Sequence, residues 1–223
     1  MSVSTKISLL RTELPELVQL VAVSKTHPAE LIEQAYAAGQ RLFGENRPQE
    51  MRAKYDALPK DIRWQMIGHL QTNKVKMIAP FVDMIQSVDS ERLLAEIDRQ
   101  AGLCNRQIDI LFEIHLANEE SKSGWEPIDF ERFIASESLQ QYHNIRVRGL
   151  MTVATQTDDM EVVGREFDAL RLLFERLAPC FGAEFDTLSM GMTTDWRTAV
   201  AHGSTMVRIG SLIFGERDYT VAR

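Results

Sequence analysis

Leu17-Val-Gln-Leu-Val-Ala-Val23, followed by Ser24-Lys25-Thr26-His27-Pro28, is the stretch from which the rest of the chain can be read. A short aliphatic, β-branched run that stops at a Ser/Thr/Pro segment has the pattern of a buried strand opening into a turn. The turn places an amine at the strand's mouth. An ammonium there loses hydration unless it is paired, neutralised or chemically converted. Burial that lowers its pKa makes it a nucleophile able to form an imine with a carbonyl or aldehyde. The plain alternative is a lysine whose stem lies along the strand end while its charge reaches water.

The same pattern recurs along the chain. β-rich runs occur at Val18-Val23, Arg41-Phe43, Arg63-Met66, Met84-Gln86, Ile108-His115, Arg146-Leu150, Phe185-Leu188 and Met206-Ile209. Between them Ala29-Ala38, Pro48-Ala57, Glu91-Ala101, Ile128-Ser136 and Met160-Leu177 carry apolar residues at helical spacing. Alternation of this kind predicts a parallel sheet with crossover helices. Eight such units close into an α/β fold of the (β/α)8 TIM barrel type, with an N-terminal extra helix around Ile7-Leu14 over its bottom or side. An open doubly wound sheet is the alternative, but no GxGxxG or GxxxxGK[ST] loop follows the first strand. Composition shows no break between the halves, so residues 1–223 are expected to form a single domain. The polar, glycine-containing segment Ala117-Trp125 is the candidate mobile loop.

Composition narrows the function classes. With 44% hydrophobic and 26% charged residues, the chain has the make-up of a soluble globular protein, and its apolar runs are too short to cross a bilayer. Met1-Ser-Val-Ser-Thr-Lys6 lacks the apolar stretch of a secretory signal, which gives a cytoplasmic expectation. Cys104 and Cys180 stand far apart and outside any Cys/His cluster, so neither a disulfide framework nor a metal site is indicated. A formal net charge of −7 argues against nucleic acid or an anionic membrane as partner. A small anion can still be held locally.

In a barrel of this type the chemistry gathers where the strands end, and the unusual polar segments fall there. They are Ser24-Lys25-Thr26, Gly44-Glu45-Asn46, Gly68-His69 through Lys74, Ser87-Val88-Asp89-Ser90, Lys122-Ser123-Gly124, Met151-Thr152, Ser189-Met190-Gly191-Met192 and Gly210-Ser211. Several have simpler explanations: Gly44, Gly68 and Gly124 as turn formers, Asp89 and Ser90 as a helix cap, His69 as a structural or exposed histidine, and Met190 and Met192 as core filler. The loops after the last two strands, with small residues and hydroxyls, suit a phosphate. Arg208 lies in the run Thr205-Met-Val-Arg-Ile-Gly-Ser-Leu-Ile-Phe-Gly215, and a guanidinium buried there needs a partner. A barrel carboxylate would make it structural. A ligand atom would make it functional.

Taken together, Ala22-Val-Ser-Lys-Thr-His-Pro28, Phe43-Gly-Glu-Asn46 with Gln49-Glu50, Ile67-Gly-His-Leu-Gln-Thr-Asn-Lys74, Ser121-Lys-Ser-Gly124, Gly149-Leu-Met151, Leu188-Ser-Met-Gly-Met192 and Gly203-Ser-Thr-Met-Val-Arg-Ile-Gly210 resemble the pyridoxal phosphate homeostasis protein family over nearly the whole chain. The resemblance implies a barrel related to that of alanine racemase, with pyridoxal 5′-phosphate (PLP) held as an imine. By motif, Lys25 would carry the imine and Arg208 would face the pyridine nitrogen. Ser189 and the Gly210-Ser211 turn would hold the phosphate with main-chain help from Gly191, and Asn46 and Met151 would line the ring or its hydroxyl side. The chain departs from the family pattern at Gln65, where His is usual after the Trp, at Ser211, where Thr is frequent, and at Arg197, where an acidic residue is typical.

PLP acts as an electron sink, most strongly when its ring nitrogen is protonated. Arginine only donates, so Arg208 should keep that nitrogen neutral and disfavour aminotransferase chemistry. The resemblance implies a second proton donor from an additional β domain in the racemase relatives, which this chain is expected to lack; Tyr219 has no evident route to the mouth. The expected function is therefore intracellular PLP homeostasis by a monomeric protein that buffers this vitamin B6 aldehyde or delivers it to apo PLP enzymes. The alternatives are a racemase-like PLP enzyme acting on an amino acid, and a Schiff-base aldolase for a sugar phosphate.

Overall fold

Eight parallel strands hydrogen bond in sequence order, and the last pairs with the first to close a barrel. The computed structural model describes residues 1–117 and 123–215. The strands are β1 (Gln19–Val23), β2 (Leu42–Glu45), β3 (Arg63–Met66), β4 (Met84–Val88), β5 (Ile108–Glu113), β6 (Ile145–Met151), β7 (Thr187–Ser189) and β8 (Met206–Ile209). Among the described residues the helices are α1 (Val3–Glu13), α2 (Ala29–Ala37), α3 (Pro48–Ala57), α4 (Val75–Ile78), α5 (Glu91–Leu103), α6 (Pro127–Ala135), α7 (Met160–Phe181), α8 (Trp196–Ala201) and α9 (Ser211–Phe214). The expected N-terminal helix is α1, which packs on α2 and α9. No helix among the described residues is long and apolar enough to cross a membrane.

Parallel barrel strands are covered on both faces, which is why they read as continuous apolar runs rather than alternating ones. Their outward side chains, with Phe43, Trp64 and Phe112 among the largest, meet the inner stripes of the helices. In α5 that stripe is Leu93, Leu94, Ile97 and Ala101, and Ser90 caps the helix by accepting the Leu93 N–H. In α7 it is Val163, Phe167, Leu170, Leu173 and Leu177, and Asp159 is the cap. A separate small cluster, Val21, Met84, Leu111, Met151 and Met206, fills the barrel's interior and forms the floor beneath its mouth. At the opposite pole, Asp109 holds both Arg146 and Arg148, at 2.7 and 3.0 Å.

One irregularity shapes the sixth strand. Ile110 pairs with Val147 but Leu111 with Gly149, so β6 carries an extra residue at Arg148. Gly149 follows at φ +152°, with an ideal Cβ position only 1.7 Å from the Thr187 carbonyl oxygen of β7. The bulge ends with Met151 among the interior side chains.

Candidate functional site

Val21 belongs to the interior cluster, and the two-residue alternation of β1 carried past its end brings half-buried Lys25 to the same side, at the barrel's C-terminal mouth. Both flanks of Lys25 are tied down. The buried Ser24 hydroxyl donates to Glu45 Oε1 at 2.7 Å, and its carbonyl accepts from Lys54 Nζ at 2.7 Å. Thr26, at φ +67°, donates its N–H to Glu50 Oε1 at 2.6 Å. A β-branched residue in the left-handed region costs about 1–2 kcal/mol, so the turn depends on such bonds for its shape.

On the adjoining strand β8, Arg208 is buried and donates from Nη1 to Ser189 Oγ at 2.6 Å and from Nη2 to the Thr152 carbonyl at 2.8 Å. Ser189 passes its own proton to Gln86 Oε1 at 2.7 Å, and the Gln86 amide donates to Gln65 Oε1. Since a guanidinium can only donate, it fixes the direction of the whole series. Burial depresses its pKa to about 10, opposed by the charges of Asp195 and Glu113, so it remains a cation at neutral pH. Compensation at hydrogen-bond distance comes from oriented dipoles. Gln86→Leu would leave the buried Ser189 hydroxyl without this acceptor and is expected to lower stability by about 1–3 kcal/mol in chemical denaturation.

Glu113, at the end of β5, is buried beside this group. Burial raises its pKa, while the Ser123 hydroxyl, donating at 3.1 Å, works the other way. His69 is largely exposed and pairs with Asp89 at 2.9 Å. Gly68 lets β2 and β3 close up, since a Cβ there would sit 2.8 Å from Asn46 backbone atoms.

The rim over the last two strands brings Ser211 Oγ to 3.2 Å from Thr193 Oγ1. Gly210 beside them lies against the end of β1, where a Cβ would stand 3.2 Å from the Val23 carbonyl oxygen. Gly191, at φ +96°, makes room for α8, and its carbonyl accepts the Arg208 N–H. Ser189 lies inside the barrel, with its oxygen on Arg208 and its proton on Gln86, rather than beside Ser211. Arg197 turns to the barrel's own surface, pairing with Glu13 of α1 and stacking on Trp196 at 4.4 Å. Ser121, Lys122 and Tyr219 lie outside the described residues.

These residues fit PLP by the chemistry of their donors and acceptors. An amine, a donor-only cation and two rim hydroxyls gather at one mouth, and the buried Asn46 Oδ1 has no hydrogen-bond partner among the described residues. Sequence reasoning missed Thr193, Gln86, Glu113 and Lys54, and it noted Gln65, Glu45 and Glu50 as motif positions without giving them a part in the site. Gln65 and Gln86 carried a signal, being amides inside strands otherwise rich in large apolar side chains.

Comparison with known proteins gives a consistent result. The family described as alanine racemase, N-terminal domain, matches residues 2–218. The pyridoxal phosphate homeostasis protein of Pasteurella multocida is 40% identical over 207 residues, covering 91% of this chain and 88% of that one. PipY of Synechococcus elongatus, solved without PLP, superposes with a TM-score of 0.91 at 38% identity over 96% of this chain and all of that one; its structure with PLP bound gives 0.88. An alanine racemase of Clostridium difficile shares the barrel at 12% identity and a TM-score of 0.79, covering 96% of this chain and 56% of that one.

Proposed function

Because the chain belongs to the pyridoxal phosphate homeostasis protein family, on a barrel of the alanine racemase N-terminal type, we propose that it binds PLP through a Schiff base on Lys25 and serves PLP homeostasis, by buffering or delivery. The observation that carries the reading is the placement of Lys25 and the buried, donor-only Arg208 at one mouth. PLP supplies an aldehyde for the amine and, in enzymes, an electron sink for amino-acid chemistry. Arg208 donates a hydrogen bond to the ring nitrogen and withholds the proton that would strengthen that sink. Holding is favoured over turnover.

Ser211 and Thr193, with the main chain at Gly210 and Gly191, hold the phosphate, while Ser189 keeps Arg208 in place. Asn46 and Met151 border the ring. The work is that of one domain, a monomer in the cytoplasm, with apo PLP enzymes as recipients.

Protein incubated with PLP and gel-filtered is expected to be yellow. Borohydride should bleach it and leave one phosphopyridoxyl group on the peptide containing Lys25, read by mass spectrometry. A colourless protein with no reducible adduct would overturn the reading.

A further inference from the structure

We propose that Lys54, together with the carboxylates of Glu45 and Glu50, is a positioning residue for Lys25: the three grip both peptide units flanking it and so set the direction of its amine. This rests on the reading of Lys25 given above. Lysine on a barrel's outer helix ordinarily extends its charge into water. The Lys54 side chain is only 9% exposed, and Nζ donates to Glu45 Oε1, Glu50 Oε1 and the Ser24 carbonyl, each at 2.7 Å. The carboxylates complete the hold, Glu45 on the Ser24 hydroxyl and Glu50 on the Thr26 N–H. None of these bonds uses the Lys25 side chain.

Stability alone accounts poorly for this arrangement, because a buried ion pair is commonly matched or bettered by apolar side chains of similar volume. What apolar residues could not do is bond a carbonyl, a hydroxyl and an N–H within three consecutive residues. The chain assembles the group from two short pieces: Glu45 ends β2, and Glu50 and Lys54 lie four apart on one face of α3, directly after it.

The group is also responsive to pH. Around Glu45 stand Lys54 and Glu50 from α3 and the Ser24 hydroxyl from the end of β1, and Oε2 has no hydrogen-bond partner among the described residues. Burial, opposed by Lys54, raises the Glu45 pKa to about 7. Below that value the neutral carboxyl accepts more weakly from Lys54 and Ser24. Above it the carboxylate draws both in, and the grip on the turn tightens.

The test is the rate of imine absorbance with PLP, from pH 6 to pH 9 in roughly unit steps spanning the carboxyl's titration, and the lysine labelled after borohydride. Lys54→Met is expected to slow capture about tenfold or more, as a displaced reacting group does. It should also spread the label to other lysines; Lys54→Arg should restore part of the rate. Glu50→Gln keeps size and loses charge at a partly exposed position, so it tests the Thr26 contact should Lys54→Met fail to fold; a several-fold slower capture is expected. Glu45→Gln should remove the component of the pH profile near 7. Wild-type rate, profile and labelling in Glu50→Gln and in every folded Lys54 variant would overturn the inference and leave the Lys25 reading standing. Absence of a Lys25 adduct in the wild-type protein would defeat that reading itself.

Discussion

Lys25→Ala is expected to abolish the borohydride-fixed adduct while leaving the barrel intact. The side chain leaves a turn whose shape is held through Ser24 and Thr26, not through Lys25 itself. Removing a half-buried stem at such a place should change stability by no more than about 1 kcal/mol. The hydroxyl rim and Arg208 are untouched, so PLP should still bind reversibly, detectable by equilibrium dialysis, yet wash away on gel filtration. Intact mass after reduction is the deciding measurement. An alanine variant that keeps one adduct per chain at wild-type occupancy would move the Schiff base to another amine, and Lys122 would be the first to replace.

Gly149→Ala should produce the largest loss of stability. Its Cβ would fall 1.7 Å from the Thr187 carbonyl oxygen, a backbone atom of the neighbouring strand that cannot rotate away, and φ is +152°. Strands β6 and β7 would have to part at the registered pair Gly149 and Thr187. A loss of about 4 kcal/mol or more is expected. For a chain of this size that lowers the thermal midpoint by roughly 10 °C. Gly182→Ala is the control: it shares a positive φ, +76°, but has nothing within 4 Å of its Cβ position, and should lose about 1 kcal/mol. Equal midpoints for the two variants would show that the strand clash is absent.

The barrel could be read from sequence because burial on both faces makes each strand a compact apolar run. Arg63–Met66, Met206–Ile209 and the helix Pro48–Ala57 have the predicted bounds. The strand expected from Ile108 to His115 stops at Glu113, and Ile114 instead makes an isolated bridge to Trp125. Helices α4, α8 and α9 went unforeseen, since four to six residues show too little of a 3.6-residue period. Arg208 stood out as a charge inside an apolar run, and Lys25 and Ser211 as polar groups in the turns where strands end. Their supports did not. Gln86 meets Ser189 across 103 positions, a contact that exists only once the ring of strands has closed. Lys54 looks like any exposed helical lysine until β2 and α3 carry it beneath the first turn.

Closing the sheet on itself also bears on how one molecule meets another. An open sheet ends in a strand with bare amide and carbonyl groups, ready to recruit another chain. Here the eighth strand satisfies the first. Among the described residues the ring of strands thus leaves no open edge as a seam on which neighbouring chains could polymerise.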